Sequence, residues 1–363
     1  FQLQAHPVSY RLMLDRTRLD RDPPSTFARA NWFSDLRLTR HGLIVKKTGR
    51  RIGLAEITPS EFVKFCLYFA VVLMKGLAVR MTRPSGHSVW FAPDRPRPWY
   101  ILWSAMTLSG IRFAPTPASA DVAFYFEDTT QGVPPSAGNL VQLNSACNDI
   151  SKSRVADVFA DVAGYALRLD PRTHHGPAVE KSEANGLHDG RIVTCPCDPA
   201  AGKAYQHLVD SSDGTTAFDY RTTIIGRVPR FVLVKTKPAG DRFSMHNDTV
   251  AFRELSDVFS PPELDHITRF AETMALDWAA LDILRDSRSG RIYIVDVNKT
   301  DTGPAVDLSW HDRSRVMRAI SRHFHAMIAG VAQPDVTATA ALAARSAREP
   351  MRTGYVIETP RKV

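Results

Sequence analysis

The sequence predicts an α/β (α+β) protein assembled from more than one compact unit. Three observations carry this expectation. At 363 residues the chain is too long to close around one small core. From about Pro98 onward, strand-like apolar runs alternate with helical ones. Further along, paired strand-like runs are separated by short glycine-containing turns, the pattern of antiparallel hairpins.

Residues 1–95 are basic and irregular, with RDPPS and RPSGH as loop signals, and read as an N-terminal extension. The opening FQLQAHPVSYRLMLDR does not have the form of a secretory signal. The most apolar run of the chain, FCLYFAVVLM at 65–74, lies between Lys64 and Lys75. TPSE at 58–61 supplies a helix start: Thr58 as cap, Pro59 for the first turn, and Glu61 to complete a capping box. The run falls short of the about 20 apolar residues that a membrane span needs, so the expectation over 62–79 is a buried helix. A membrane-surface helix through residues 62–80 is the alternative, because Lys64, Lys75 and Arg80 flank the run.

Residues 96–150 read as an α/β unit. PWYILWSAMTLSG is helical and ends at Gly110; DVAFYFED (121–128) is a buried strand; NLVQLN (139–144) is another. Residues 151–332 form a second, larger unit. It opens with ISKSRVADVFADVAGY, a helix that Ser151 caps and Gly164 ends. Two strands around a glycine-containing loop follow at 176–196, then a short apolar strand at 204–210. Residues 218–238 are two strands joined at Gly226–Pro229. Residues 261–276 are helical from Pro261–Pro262, and DWAALDILRDSRSGRIYIVDVN is two strands turning near Ser289–Gly290. A final amphipathic helix covers about 311–329. The Ala-, Thr- and Arg-rich tail, 333–363, reads as peripheral. No internal repeat is present.

Composition narrows the function. Hydrophobic residues at 44% and charged residues at 23% are ordinary for a globular enzyme. The net charge of +8 favours anionic partners: phosphates, acidic substrates or an anionic membrane surface. Nucleic acid is disfavoured, because neither an RNA-binding aromatic signature nor a dense Lys/Arg run occurs. The cysteines are Cys66, Cys147, Cys195 and Cys197. The lone CPC at 195–197 lacks the second pair of a zinc site, so free thiols in a reducing cytoplasm are expected. His174–His175 and the HFH at 323–325 do not have metal-ligand spacing either.

GRIYIVDVNKTDTGP at 290–304 carries the chemistry. Asp296 and Asn298 are two apart on a strand and share a face, and Asp282 on the preceding strand can face them. Two carboxylates and an amide oxygen form a hard-oxygen set suited to Mg²⁺. A plain strand-to-turn transition is the competing reading. Upstream cations favour the metal: Lys152 begins a helix, Lys181 ends a strand, and Arg221 and Lys235 lie on later strands. Such a set suits a triphosphate. Neither a P-loop nor a GxGxxG follows a strand, and no HRD or DFG occurs.

In this order, Lys152, AVEK, QHLV, DYR, VKTK and LDIL…IYIVDVN resemble the ATP-grasp superfamily, and within it the carboxylate–amine ligases such as glutathione synthetase and the protein glutamate ligases. The resemblance covers about residues 100–330. It implies an ATP-grasp fold with the nucleotide held between two α+β subdomains of residues 151–332. Residues 96–150 would be a pre-ATP-grasp-like domain. Lys152 and Lys181 match the lysines that hold the α- and β-phosphates, and SEANGLHDG with Gly186 and Gly190 matches the loop over them. Gln206, His207 and Val209 match the adenine strand, Asp219 the acid near the ribose, and Lys235 a base near the triphosphate. Arg221 matches a cation near the reacting phosphate, Arg242 and Asn247 a substrate loop, and Asp282, Asp296 and Asn298 the Mg²⁺ ligands. The chain departs from the pattern in three places. Asp296 stands where Glu is usual, His207 stands where an acid is usual, and KTDTGP reverses a Pro-Gly turn.

The implied activity is ATP- and Mg²⁺-dependent ligation. A substrate carboxylate becomes an acyl phosphate, which an amine or other nucleophile attacks. Two Mg²⁺ ions are expected, with Mn²⁺ as an alternative metal. The expected partners are ATP and an acidic small molecule or peptide. The alternative function is a kinase acting on a sugar or lipid hydroxyl, and a non-enzymatic module is the third reading. The expected location is cytoplasmic, or membrane-peripheral if residues 62–80 meet lipid. A homodimer is compatible with the sequence.

Overall fold

The structure is a computed structural model that describes residues 36–40, 42–45, 51–53, 59–187, 189–241, 247–303 and 308–332. A small antiparallel meander comes first: β1 (Leu36–Thr39), β2 (Gly42–Val45) and β3 (Arg51–Gly53). Helix α1 (Pro59–Thr82) follows. Next is a parallel sheet of β4 (Ser88–Pro93), β5 (Arg112–Phe113), β6 (Val122–Phe126) and β7 (Gln142–Leu143), in the order β5-β4-β6-β7. Helix α2 (Ile101–Ser109) crosses over between β4 and β5, and Gly110 closes it in the left-handed conformation at φ 71°. β4 lies upstream of residue 96, where the sequence reading begins this unit, yet its paired register with β6 makes it a central strand. Five buried apolar residues in β6 fit a parallel sheet covered on both faces.

Helix α3 (Lys152–Ala163) begins where Ser151 accepts a hydrogen bond from the Arg154 amide, and it ends at left-handed Gly164. β8 (Gly176–Ser182), β9 (Arg191–Cys195) and β10 (Lys203–His207) form an antiparallel sheet ordered β10-β8-β9. The largest sheet is antiparallel. It contains β11 (Thr216–Ile225), β12 (Val228–Pro238), β13 (Thr249–Arg253), β14 (Trp278–Arg285) and β15 (Ile292–Asn298), in the order β13-β12-β11-β14-β15. Helix α4 (Pro261–Thr273) starts in a capping box between Ser260 and Glu263, and α5 (Trp310–Ala332) is the last described helix. This is the mixed α+β organisation the sequence predicts.

Two apolar clusters divide the large sheet between them. One face, with Ile224, Val232, Leu281, Ile283 and Ile294, packs on Val155 and Phe159 of α3 and Ile267 and Phe270 of α4. The other face is split along its length. Its far end, with Ile225, Phe231, Phe252 and Trp278, packs against Ile320 and Phe324 of α5 and, through them, on Leu102, Phe91 and Phe124 of the parallel-sheet unit. Its near end carries charged side chains.

The structure corrects the expectation for residues 62–79. They are helical, but the helix is not buried. Tyr68, Val72 and Gly76, four residues apart in turn, face α2. Tyr68 donates a 2.7 Å hydrogen bond to the Ser104 hydroxyl, and a Cβ on Gly76 would lie 2.4 Å from the Thr107 methyl. The opposite side exposes Met74 (65%), Leu77 (61%) and Met81 (76%). The helix is also longer than the apolar run that signalled it, and Phe62–Thr82 is long and apolar enough to cross a membrane by length and composition. Thr58, the expected cap, lies outside the described residues.

Candidate functional site

Strict alternation along β15 would put Ile292, Ile294, Asp296 and Asn298 on one face. The structure avoids this with a β-bulge. Asp282 pairs with Asp296 while Ile283 pairs with Ile294, so Val295 is an extra residue opposite β14. Ile292 and Ile294 therefore enter the core, and Asp296 turns to the other face beside Asp282. The competing turn reading does not describe this stretch, because β15 runs through to Asn298. The bulge also changes the backbone: the Val295 carbonyl accepts a 2.9 Å hydrogen bond from the Lys181 ammonium on β8.

Register then builds a row of charges across four strands. Lys235 of β12 stands opposite Asp219 of β11, Arg221 of β11 opposite Asp282 of β14, and Asp282 opposite Asp296 of β15. Lys235 lies 3.4 Å from Asp219 and 3.7 Å from Asp282. Arg221 donates to Asp282 at 2.7 Å and forms a second ion pair with Asp301. Burial works against the charge on Asp282, but Arg221 and Lys235 outweigh it and hold the carboxyl below its usual range. Asp219 goes the other way: burial pushes it up against the pull of Lys235, and the Asp282 charge adds to the rise. Burial also costs Arg221, yet Asp282 and Asp301 keep its guanidinium firmly protonated.

Two lysines close the row, one from helix α3 and one from β8 of the other sheet. Lys152, in the first turn of α3, is buried and pairs with Asp296. Burial lowers the Lys181 ammonium to about 8, against the opposing charge of Asp296 and helped by repulsion from Lys152. The β8–β9 loop adds Asn185, which accepts from Lys152 at 2.9 Å and donates to Asn298 at 3.0 Å. Its own amide donates to the Thr130 hydroxyl at 2.7 Å, so the loop is tied to the parallel-sheet unit.

These groups line one cleft between the β10-β8-β9 sheet and the large sheet. Lys152, Lys181, Gly186, Gln206, His207, Val209, Asp219, Asp282 and Asp296 all border it. Arg221 and Lys235 join through Asp282, and Asn298 through Asn185. At the apolar end Val179, Phe218 and Leu284 flank Gln206, whose buried amide nitrogen has no partner among the described residues. One oxygen of Asp219 is orphaned in the same way. Two orphaned polar atoms in a charged cleft fit a polar ligand there, since buried polar groups otherwise find partners. The His207 amide is already given to the Leu167 carbonyl at 2.9 Å, so a base edge at this residue would have to use its carbonyl.

Two predicted residues stand apart. Arg242 lies outside the described residues. Asn247 just precedes β13, and its side-chain oxygen is buried with no partner among the described residues. Among the described residues no hydrogen bond joins it to the charged row. Three residues that sequence reasoning did not select belong to the site. Asn185 bridges Lys152 and Asn298. Lys237, two residues beyond Lys235, borders the cleft, and burial lowers its ammonium against the pull of Asp219. Asp301 lies in the KTDTGP loop. Besides holding Arg221, it accepts the first amide of α2, from Ile101, through its carbonyl at 3.0 Å. Lys299 donates to the Cys147 carbonyl at 2.7 Å and Thr300 to Asp128 at 2.9 Å, so this loop docks the cleft onto the parallel-sheet unit.

As a metal site the set is small. Among the described residues no three His, Cys, Asp or Glu side chains form a ready cage. Asp282, Asp296 and Asn298 offer two carboxylates and one amide oxygen. That suits Mg²⁺, which takes few protein ligands and completes its shell with water and phosphate. The four cysteines are free thiols; Cys195 and Cys197 approach to 3.8 Å without bonding.

No family model and no curated protein matches this sequence. Among solved structures it is similar to the ATP-grasp ligase PsnB complexed with a minimal precursor: 14% identity, 67% of this chain and 98% of that one, TM-score 0.44. The likeness is to ATP-grasp proteins. A RimK domain ATP-grasp protein from Sphaerobacter thermophilus matches at 13% identity over 67% of this chain and all of its own, TM-score 0.41. D-alanine–D-alanine ligase from Bacillus anthracis, complexed with ATP, matches at 10% identity over 73% of this chain and all of its own, TM-score 0.41.

Proposed function

We propose that this chain is an ATP-dependent ligase of the ATP-grasp kind. It would activate a substrate carboxylate as an acyl phosphate and pass the acyl group to an amine or other nucleophile. The observation that carries the reading is the alternating row Lys235, Asp219, Arg221, Asp282 and Asp296 on one cleft wall, with Lys152 and Lys181 facing it. Each cation in that row is held by a carboxylate or a carbonyl, and each carboxylate by a cation. A polyphosphate gives Lys152, Lys181 and Lys235 a new partner and frees oxygens of Asp282 and Asp296. Those oxygens, with Asn298, would hold Mg²⁺, which supplies charge neutralisation at the phosphate oxygens. Arg221 is fixed between Asp282 and Asp301, so its guanidinium is pre-oriented toward charge that develops on the transferring phosphoryl group. Gln206 and the apolar residues beside it suit a flat, polar-edged base at the other end of the cleft.

The test begins with thermal unfolding in Mg·ATP. At a hundredfold excess over Kd, one binding site stabilises by about 2.7 kcal/mol. Asp296→Ala, which takes the carboxylate from buried Lys152, should melt lower than the wild type but still fold, and should abolish phosphate release from Mg·ATP in the presence of a small-molecule cell extract. Normal turnover in that variant overturns the assignment. Mass spectrometry of the same mixture distinguishes the chemistry. Free phosphate with a condensed product supports a ligase, whereas a phosphorylated product without phosphate release rejects it in favour of a kinase.

A further inference from the structure

We propose that the outer face of α1 docks on a membrane surface rich in anionic lipid. Half of the large apolar side chains exposed among the described residues lie on this one helix. Tyr68, Val72 and Gly76 hold its inner side on α2, so Val63, Leu67, Met74, Leu77 and Met81 project away from the protein. A helix that is apolar on more than one side needs apolar cover on each of them, and the described residues cover only one. The uncovered stripe is broader than a coiled-coil seam, because Phe62 and Leu73 are exposed beside it.

Charge selects the occupant. Residues 62–93 contain Lys64, Lys75, Arg80 and Arg83 and no Asp or Glu. Lys64 and Lys75 are eleven residues apart, about three helical turns, so both lie along one margin of the apolar stripe. A second copy packed on this face would bring the cations of each helix together with Glu61 as the one acid on α1, and coiled-coil partners ordinarily place opposite charges at such flanks. Lipid meets both demands: acyl chains accept the apolar stripe, and anionic headgroups accept the lysines along its edge. The inner side stays on α2, so the helix lies in the plane of the interface.

Flotation of the full chain with vesicles tests this. The wild type should float with vesicles of equal parts phosphatidylcholine and phosphatidylglycerol, and float weakly with phosphatidylcholine alone. Met74→Glu combined with Leu77→Glu places charge in the stripe at two exposed positions and should lower the partition at least about tenfold without changing the melting temperature. Lys64→Gln and Lys75→Gln should each cost roughly fivefold on the anionic vesicles and little on the neutral ones. Wild-type protein that stays unbound with both vesicle types overturns the proposal. Equal flotation on both overturns the headgroup argument. A vesicle-free dimer in light scattering that the paired Glu variant splits, with no flotation, assigns the face to a second copy instead.

Discussion

Lys181 is held where its charge is costly, and replacing it should show the cost directly. Burial lowers its ammonium from 10.5 to about 8. At about 1.4 kcal/mol for each unit, the folded protein gives up about 3 kcal/mol to keep this lysine charged at neutral pH. That figure is an upper bound, since the side chain keeps some solvent contact. Lys181→Met removes the penalty but leaves the Val295 carbonyl without its donor, a loss of about 1–3 kcal/mol. At pH 7 the variant should therefore be as stable as the wild type or up to about 2 kcal/mol more stable. The pH dependence is the sharper readout. Unfolded, the lysine keeps its proton to near 10.5; folded, it releases it near 8. Between those values the unfolded state binds more protons, so wild-type stability rises with pH relative to the variant, by about 1.4 kcal/mol per unit. Urea unfolding of both proteins from pH 7 to 10, in EDTA and without nucleotide, measures the gap. Parallel curves across that range would refute the reasoning, because they would mean that Lys181 is not held at a lowered pKa.

The other expectations concern positions that tie the units together. Asp301→Asn leaves Arg221 with Asp282 alone and weakens a charge-assisted contact, so urea unfolding should show a loss of about 2 kcal/mol; no measurable loss would mean the pair is idle. Asn144 is fully buried at φ 56° and exchanges hydrogen bonds with both backbone groups of Trp278, at 2.8 Å each. Asn144→Ala strands those groups and places alanine in the left-handed region, which should cost about 3 kcal/mol or more with an unchanged m-value. A loss under about 1 kcal/mol would argue that water replaces the side chain.

Much of the large sheet and its helices was legible in the sequence because the local chemistry is explicit. Ser151 and Gly164 bracket α3, Pro261 and Pro262 start α4, and Gly226 and Gly290 mark the turns of two hairpins. The charged row was legible as residue types at strand positions. What selects its face was not, because a bulge at Val295 is a tertiary adjustment that no two-residue period announces. β4 was missed although SVWFAP is a compact apolar run, since it borders basic, proline-rich text and finds its partners only through crossovers. Asn185 and Asp301 sit in loops, where side-chain position follows from docking rather than from period. For α1, periodicity specified a helix but not what would cover it.

Helix α5 completes a unit whose strands precede it by far in the chain. Phe324 packs on Trp278 and on Phe124 of β6, about 200 residues earlier, and Val316, Ile320 and Ile328 share that cluster with Val89 and Phe91. During synthesis the parallel strands leave the ribosome with one of their apolar faces unmatched, and they stay so until the last helix arrives. The nascent protein thus carries open hydrophobic surface for most of its translation, the interval in which chaperone occupancy or misassociation is greatest. A stop codon before Trp310 would spare every charge in the cleft and still leave the parallel-sheet unit without the helix that closes its core.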